Sequence, residues 1–70
     1  MLVYVIENRS SDSLPVYYAP GRVNGGGPHA WSTEQDDALG FAEAEDAQRF
    51  INAMMPRQAE TLRPVPHERP

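Results

Sequence analysis

Apolar positions along the chain gather into short groups whose spacing changes from two residues to between three and four. Leu2 to Ile6 (Leu-Val-Tyr-Val-Ile) is β-branched or aromatic after its first residue, and the polar run Glu7 to Ser13 follows, the signature of a strand entering a turn. Pro15 to Ala19 holds Val16, Tyr17 and Tyr18 between two prolines, which predicts a short second strand with proline at its ends, where a missing N–H costs least. The two strands are expected to form a hairpin. Pro20 to Pro28 contains Gly21, Gly25, Gly26 and Gly27 and reads as a mobile loop, because glycine loses the most backbone freedom on ordering. Ser32, Thr33 and Gln35 suggest a capping-box-like helical turn through Asp37, and Ala38 to Phe41 a third short strand with Gly40 at a bulge or a close approach of another backbone. Ala47, Phe50, Ile51 and Met54 then fall at i, i+3, i+4 and i+7, one apolar stripe of a helix from about Ala44 to Met55 that Pro56 stops. Burying Phe50, Ile51 and Met54 contributes roughly 1.5–3 kcal/mol each before entropy, so Phe50→Ala is expected among the most damaging changes. Leu62 to His67 carries Pro64 and Pro66 about Val65 and fits at best an edge strand or an extended arm.

This order predicts an α+β fold, a small antiparallel β-sheet of two to four strands with one α-helix packed on one face. Residues 1–56 are expected to form the single domain, and 57–70 an extended or partly disordered C-terminal tail. For the first strand, either Val3 and Val5 or Leu2, Tyr4 and Ile6 face the core, and nothing local chooses. A chain of 70 residues buries only about 60% of its unfolded surface, which leaves no room for a separate catalytic domain or a deep cleft. The absence of cysteine removes disulfides, thiolate chemistry and Cys-type zinc sites, and fits a reducing cytoplasm. The longest apolar run is far short of the ~20 residues of a membrane span, and no basic segment precedes it. A cytoplasmic protein that neither enters membranes nor binds nucleic acid directly is therefore expected, since a net charge of -4 is repelled by phosphate.

The candidate catalytic patterns are incomplete. The glycine-rich stretch lacks both the Lys-Ser or Lys-Thr of a phosphate loop and G-x-G-x-x-G spacing. His29 and His67, the only imidazoles, stand in no metal-ligand pattern and read as surface histidines. Ser10, Ser11, Ser13 and Ser32 have no nucleophile-elbow context. No enzyme activity, cofactor or metal is expected.

Charge placement says more. Glu34, Asp36, Asp37, Glu43, Glu45 and Asp46 put six carboxylates into thirteen residues, while no arginine occurs between Arg22 and Arg49. Outside this segment six arginines face four acids, so the acidity is local. One reading is structural: Glu43, Glu45 and Asp46 begin the helix, where each stabilises by about 0.3–1 kcal/mol through the macrodipole, and Glu34, Asp36 and Asp37 can serve a helical turn in the same way. The other is that the six form a phosphate-like surface for a Lys- and Arg-lined groove built to hold DNA, with association steered by charge. Tyr17 and Tyr18 project to opposite faces of a strand, so one of them, taken here as Tyr17, is expected outside the core and available to a partner, while Trp31 is expected inside it.

From Trp31 to Ile51 the string W-S-x-x-x-x-x-A-x-x-F-x-x-x-x-D-A-x-x-F-I resembles the C-terminal half of many small phage and prophage proteins with a β-β-β-α or β-β-β-α-β layout. In that group the residue before Phe41 is usually basic and the helix cap Ser, Thr or Asp; here Gly40 and Glu43 occupy those places. Compact acidic proteins of this kind include the anti-CRISPR inhibitors, and the chain looks like a type I anti-CRISPR of the type I-C kind. The resemblance implies a DNA mimic that acts in the host cytoplasm as a monomer or small homo-oligomer. It would bind a basic DNA-binding surface of the Cascade effector complex and block target DNA. The resemblance carries over only to the acidic positions Glu34, Asp36, Asp37, Glu43, Glu45 and Asp46. The competing expectation is a small phage accessory or structural protein that acts through its sheet edge or through homo-oligomeric contacts.

Overall fold

A computed structural model describes residues 1–9, 14–20 and 31–69. Among them are four strands, β1 (Leu2–Asn8), β2 (Val16–Tyr18), β3 (Trp31–Ser32) and β4 (Leu62–Glu68), and one helix, α1 (Ala44–Met54). The strands form a single antiparallel sheet in the order β3-β2-β1-β4, so the chain builds a meander, crosses over in α1 and returns beside its first strand. The fold is α+β, as the order of elements predicts. The loop expected over Pro20 to Pro28 lies, apart from Pro20, outside the described residues, as do Ser10, Ser11, Ser13 and His29.

β1 runs two residues further than its apolar run. Glu7 and Asn8 continue the ladder opposite Arg63 and Leu62 on one side and opposite Tyr17 and Val16 on the other. Burying a charge is costly unless it is paired, and the buried Glu7 has a partner in Arg63. The third strand is Trp31–Ser32 rather than Ala38 to Phe41. Residues 38–41 instead fill the notch left where β2 parts from β1 after Tyr18, where Pro20 brings no amide donor to the ladder. Leu39 N–H donates to Tyr18 O (2.9 Å), and Phe41 exchanges both backbone bonds with Tyr4 (2.8 Å each).

Of the two forms expected for Leu62 to His67, an edge strand or an extended arm, the segment takes the edge strand, so residues 57–69 are not a tail outside the domain. A 3-10 turn over Pro56–Gln58 leads into β4, which pairs with β1 along seven positions and sends Leu62 into the core. The prolines permit this. Bonds between the two strands run at alternate positions, from Met1 with Arg69 to Arg9 with Thr61, so Pro64 and Pro66, opposite Ile6 and Tyr4, take the non-bonded positions. Their nitrogens point to the open edge, where no donor is missed.

Both faces of β1 are buried, which resolves the choice between its two alternating sets. On the first face Ile6 and Tyr18 meet Ala47, Ile51 and Met55, with Leu62 from β4 and the half-buried Tyr4, Trp31, Phe41 and Phe50 around them. Tyr18 contacts Trp31 edge-on (5.6 Å) and Phe50 (5.4 Å), and Phe41 also touches Phe50 (5.5 Å). On the second face Val3, Val5 and Tyr17 pack with Ala38 and the partly buried Val65. Tyr17 and Tyr18 do point to opposite faces, yet both are buried, because α1 covers one face and the segment around Ala38 packs on the other. The helix stripe also ends differently: Met54 is 61% exposed and Met55 takes the buried place. The backbone leaves helical geometry at Met55 (φ -136°, ψ 49°), which turns that side chain, and not its neighbour, under the sheet.

At Gly40 the nearest atoms belong to side chains rather than to another backbone. A Cβ there would stand 2.9 Å from Arg69 Nη1 and 3.2 Å from Val3 Cβ and Cγ2. The Arg69 guanidinium is held by its bonds to the Gln35 and Ala38 carbonyls, and Val3 is held within β1. Gly40→Ala is therefore expected to destabilise by about 1 kcal/mol or more, seen as a fall in Tm of roughly 4–8 °C. An unchanged or higher Tm would show that the 38–41 segment lifts off β1 without cost.

Candidate functional site

The carboxylates expected to meet a partner stand on two elements. Glu34 precedes a 3-10 turn, Gln35–Asp37, which holds Asp36 and Asp37. Ser32 shapes this turn from outside it: its Oγ accepts the Glu34 N–H (3.0 Å) and donates to Asp37 Oδ2 (3.3 Å). No side chain caps the turn in the capping-box manner. Asp36 reaches across to β4, with Oδ1 2.7 Å from His67 Nε2. Arg69, just past β4, donates from Nη2 to the Gln35 carbonyl (3.1 Å) and to the Ala38 carbonyl. These contacts fasten the acidic turn to the second face of the sheet.

The other triplet opens α1 on the first face. Glu43 is the N-cap residue, with extended backbone (φ -126°, ψ 145°) and no side-chain capping bond, while its carbonyl accepts Asp46 N–H (3.1 Å). Glu45 and Asp46 occupy the first turn, where the helix dipole favours their charge. Asp46 also pairs with Arg49 one turn on (3.6 Å), an exposed pair of small energetic weight. The six expected residues thus form two triplets on opposite sides of the sheet, joined by residues 38–42, rather than one flat patch.

They also differ in how far each is committed to the fold. Asp36, Asp37 and Asp46 have partners in His67, Ser32 and Arg49. Glu34, Glu43 and Glu45 are exposed and make no ion pair among the described residues. Tyr17, expected on the surface beside them, is only 7% exposed and belongs to the core of the second face.

Two contacts had no signal in local spacing. His67, read as a surface histidine, has a side chain only 15% exposed and is held against Asp36 across 31 residues. Glu7 is a buried carboxylate gripped by Arg63 and approached by Arg9. Both depend on the pairing of β4 with β1, which periodicity within either strand does not reveal. Among the described residues no three His, Cys, Asp or Glu side chains are placed to hold a metal ion, and no helix is long and apolar enough to cross a membrane. Comparison with known protein families, curated proteins and solved structures finds no match.

Proposed function

We propose that the chain is a stoichiometric protein inhibitor without catalytic activity, which lays the carboxylates of residues 34–46 against the basic DNA-binding surface of a type I CRISPR effector in the bacterial cytoplasm. The observation that carries this reading is the exposure of Glu34, Glu43 and Glu45 without a counter-ion among the described residues, on a segment that contains no basic residue. Carboxylates needed only for stability gain most when paired or at a helix start; Glu34 stands at the start of the 3-10 turn but makes no side-chain capping bond there and no ion pair among the described residues. A groove lined with Lys and Arg already holds the complementary charge, so negative groups at the surface suffice to compete with DNA and to speed encounter. The outer edge of β4 favours a charged surface over strand addition. Two of its outward nitrogens belong to Pro64 and Pro66, and a third, Leu62, already donates to Ala59 O.

The test is a gel shift of purified type I Cascade on target DNA, with the protein added before or after the DNA at two salt concentrations. Competition for the DNA site is expected to block binding only when the protein comes first, and to weaken as salt shortens the Debye length from about 10 Å at 0.1 M. Block in either order, or block that salt does not touch, would remove the mimicry mechanism; no effect in any order would remove the proposal.

A further inference from the structure

At the end of the sheet where β1 closes and β4 begins, the residues build a second charged feature, opposite in sign. Glu7 and Arg63 face each other across the β1–β4 pair, and Arg9, two residues beyond Glu7, carries the ladder on through its N–H bond to Thr61 O (3.2 Å). Alternation places all three side chains on the second face. Arg63 grips Oε1 of the buried Glu7 with both Nε and Nη2 (3.2 Å each). Arg9 Nε lies 3.7 Å from the same oxygen, an ion pair beyond hydrogen-bond reach. One guanidinium neutralises one carboxylate, so the second is surplus to the fold. Glu7, Arg9 and Arg63 together keep one net positive charge, on arginine side chains 58% and 63% exposed. Both arginines line a cleft of about 170 Å³ with Glu60, Thr61 and Leu62, a volume of several water molecules, and Glu60 in this cleft balances that charge.

We propose that this cleft binds a phosphate-type oxyanion between Arg9 and Arg63. Glu7 orients the Arg63 fork through Nε and Nη2, the exposed Arg9 stands beside it, and a guanidinium fork matches the two-oxygen face that phosphate presents. The site stands apart from the acidic segment and does not depend on the inhibitor reading. Glu60 opposes the ligand's charge and limits affinity.

The experiment is a titration of the intact chain with inorganic phosphate and, separately, dimethyl phosphate, each against chloride at equal ionic strength. It is read by NMR at the Arg9 and Arg63 Nε–Hε groups and the Arg9 and Thr61 amides. Saturable shifts beyond those of chloride are expected for phosphate. Arg9→Lys, which keeps the charge and loses the fork, should bind roughly tenfold more weakly, and Glu60→Gln should bind more tightly. Arg9 is largely exposed, so these variants are expected to fold. A response to dimethyl phosphate as well would assign the site to phosphodiesters, and a response to inorganic phosphate alone to free or terminal phosphate; either supports it. Shifts no larger than with chloride, or unchanged in Arg9→Lys, would overturn the proposal, and Glu60→Gln binding no tighter would place the anion outside the cleft.

Discussion

Ile51→Ala is expected to be the most destabilising single truncation in the helix, at about 2–5 kcal/mol. Ile51 is completely buried, central on α1 and packed against Ile6, Tyr18 and Leu62 from three parts of the sheet layer. Strands paired on both sides and a short helix leave the cavity little room to collapse. A chain of this size has a total stability of roughly 4–10 kcal/mol, so the variant is expected to lose about half of it. Phe50 has the larger side chain but is only half-buried, and its ring contacts with Tyr18 and Phe41 lie at the margin of the core. Phe50→Ala should cost less than Ile51→Ala, and Met54→Ala, at a 61% exposed position, no more than about 0.5 kcal/mol. Urea denaturation of the three variants checks the order, with the slope m showing whether the denatured state has changed. A loss for Phe50→Ala equal to or above that for Ile51→Ala would mean that the helix is anchored by its aromatic margin.

Reversal of Glu34, Glu43 and Glu45 to Lys is expected to abolish inhibition while the fold survives. Each reversal adds two charges, so the triple variant moves from -4 to +2. A basic groove that attracted the protein then repels it, and affinity should fall roughly 100-fold or more. These three are the informative positions because their carboxylates have no ion-pair partner among the described residues. Reversing Asp36 or Asp37 would also break the contacts to His67 and Ser32, and reversing Asp46 would set two cations one turn apart with Arg49. A cation at position 45 opposes the helix dipole at a cost of about 0.3–1 kcal/mol, which circular dichroism and a melting curve will register. Full inhibition by the folded triple variant would leave the acidic segment as helix-start and solubility chemistry alone.

Tyr17 departs from expectation for a tertiary reason. Tyr17, Val3 and Val5 are buried because the second face of the sheet is covered, and it is covered because Asp36 and the Gln35 and Ala38 carbonyls are tied to His67 and Arg69 at the far end of the chain. No window of ten or fifteen residues contains both ends of that tie. Glu7, read as the start of a turn, continues β1 for the same kind of reason, since its partner Arg63 lies 56 residues away.

What the sequence determined by itself was local. The 3.6-residue spacing of Ala47, Phe50 and Ile51 with Pro56 behind it places α1, the β-branched run Leu2 to Ile6 places β1, and the charge of residues 34–46 follows from composition alone. Tertiary structure decided what each face of those elements is for. It exchanged Met54 for Met55 in the core, drew the proline-bearing β4 into the sheet, and split the six carboxylates into two triplets of which half are engaged within the fold. Periodicity reports which side of an element is apolar, whereas burial and pairing depend on which distant segment arrives to cover it.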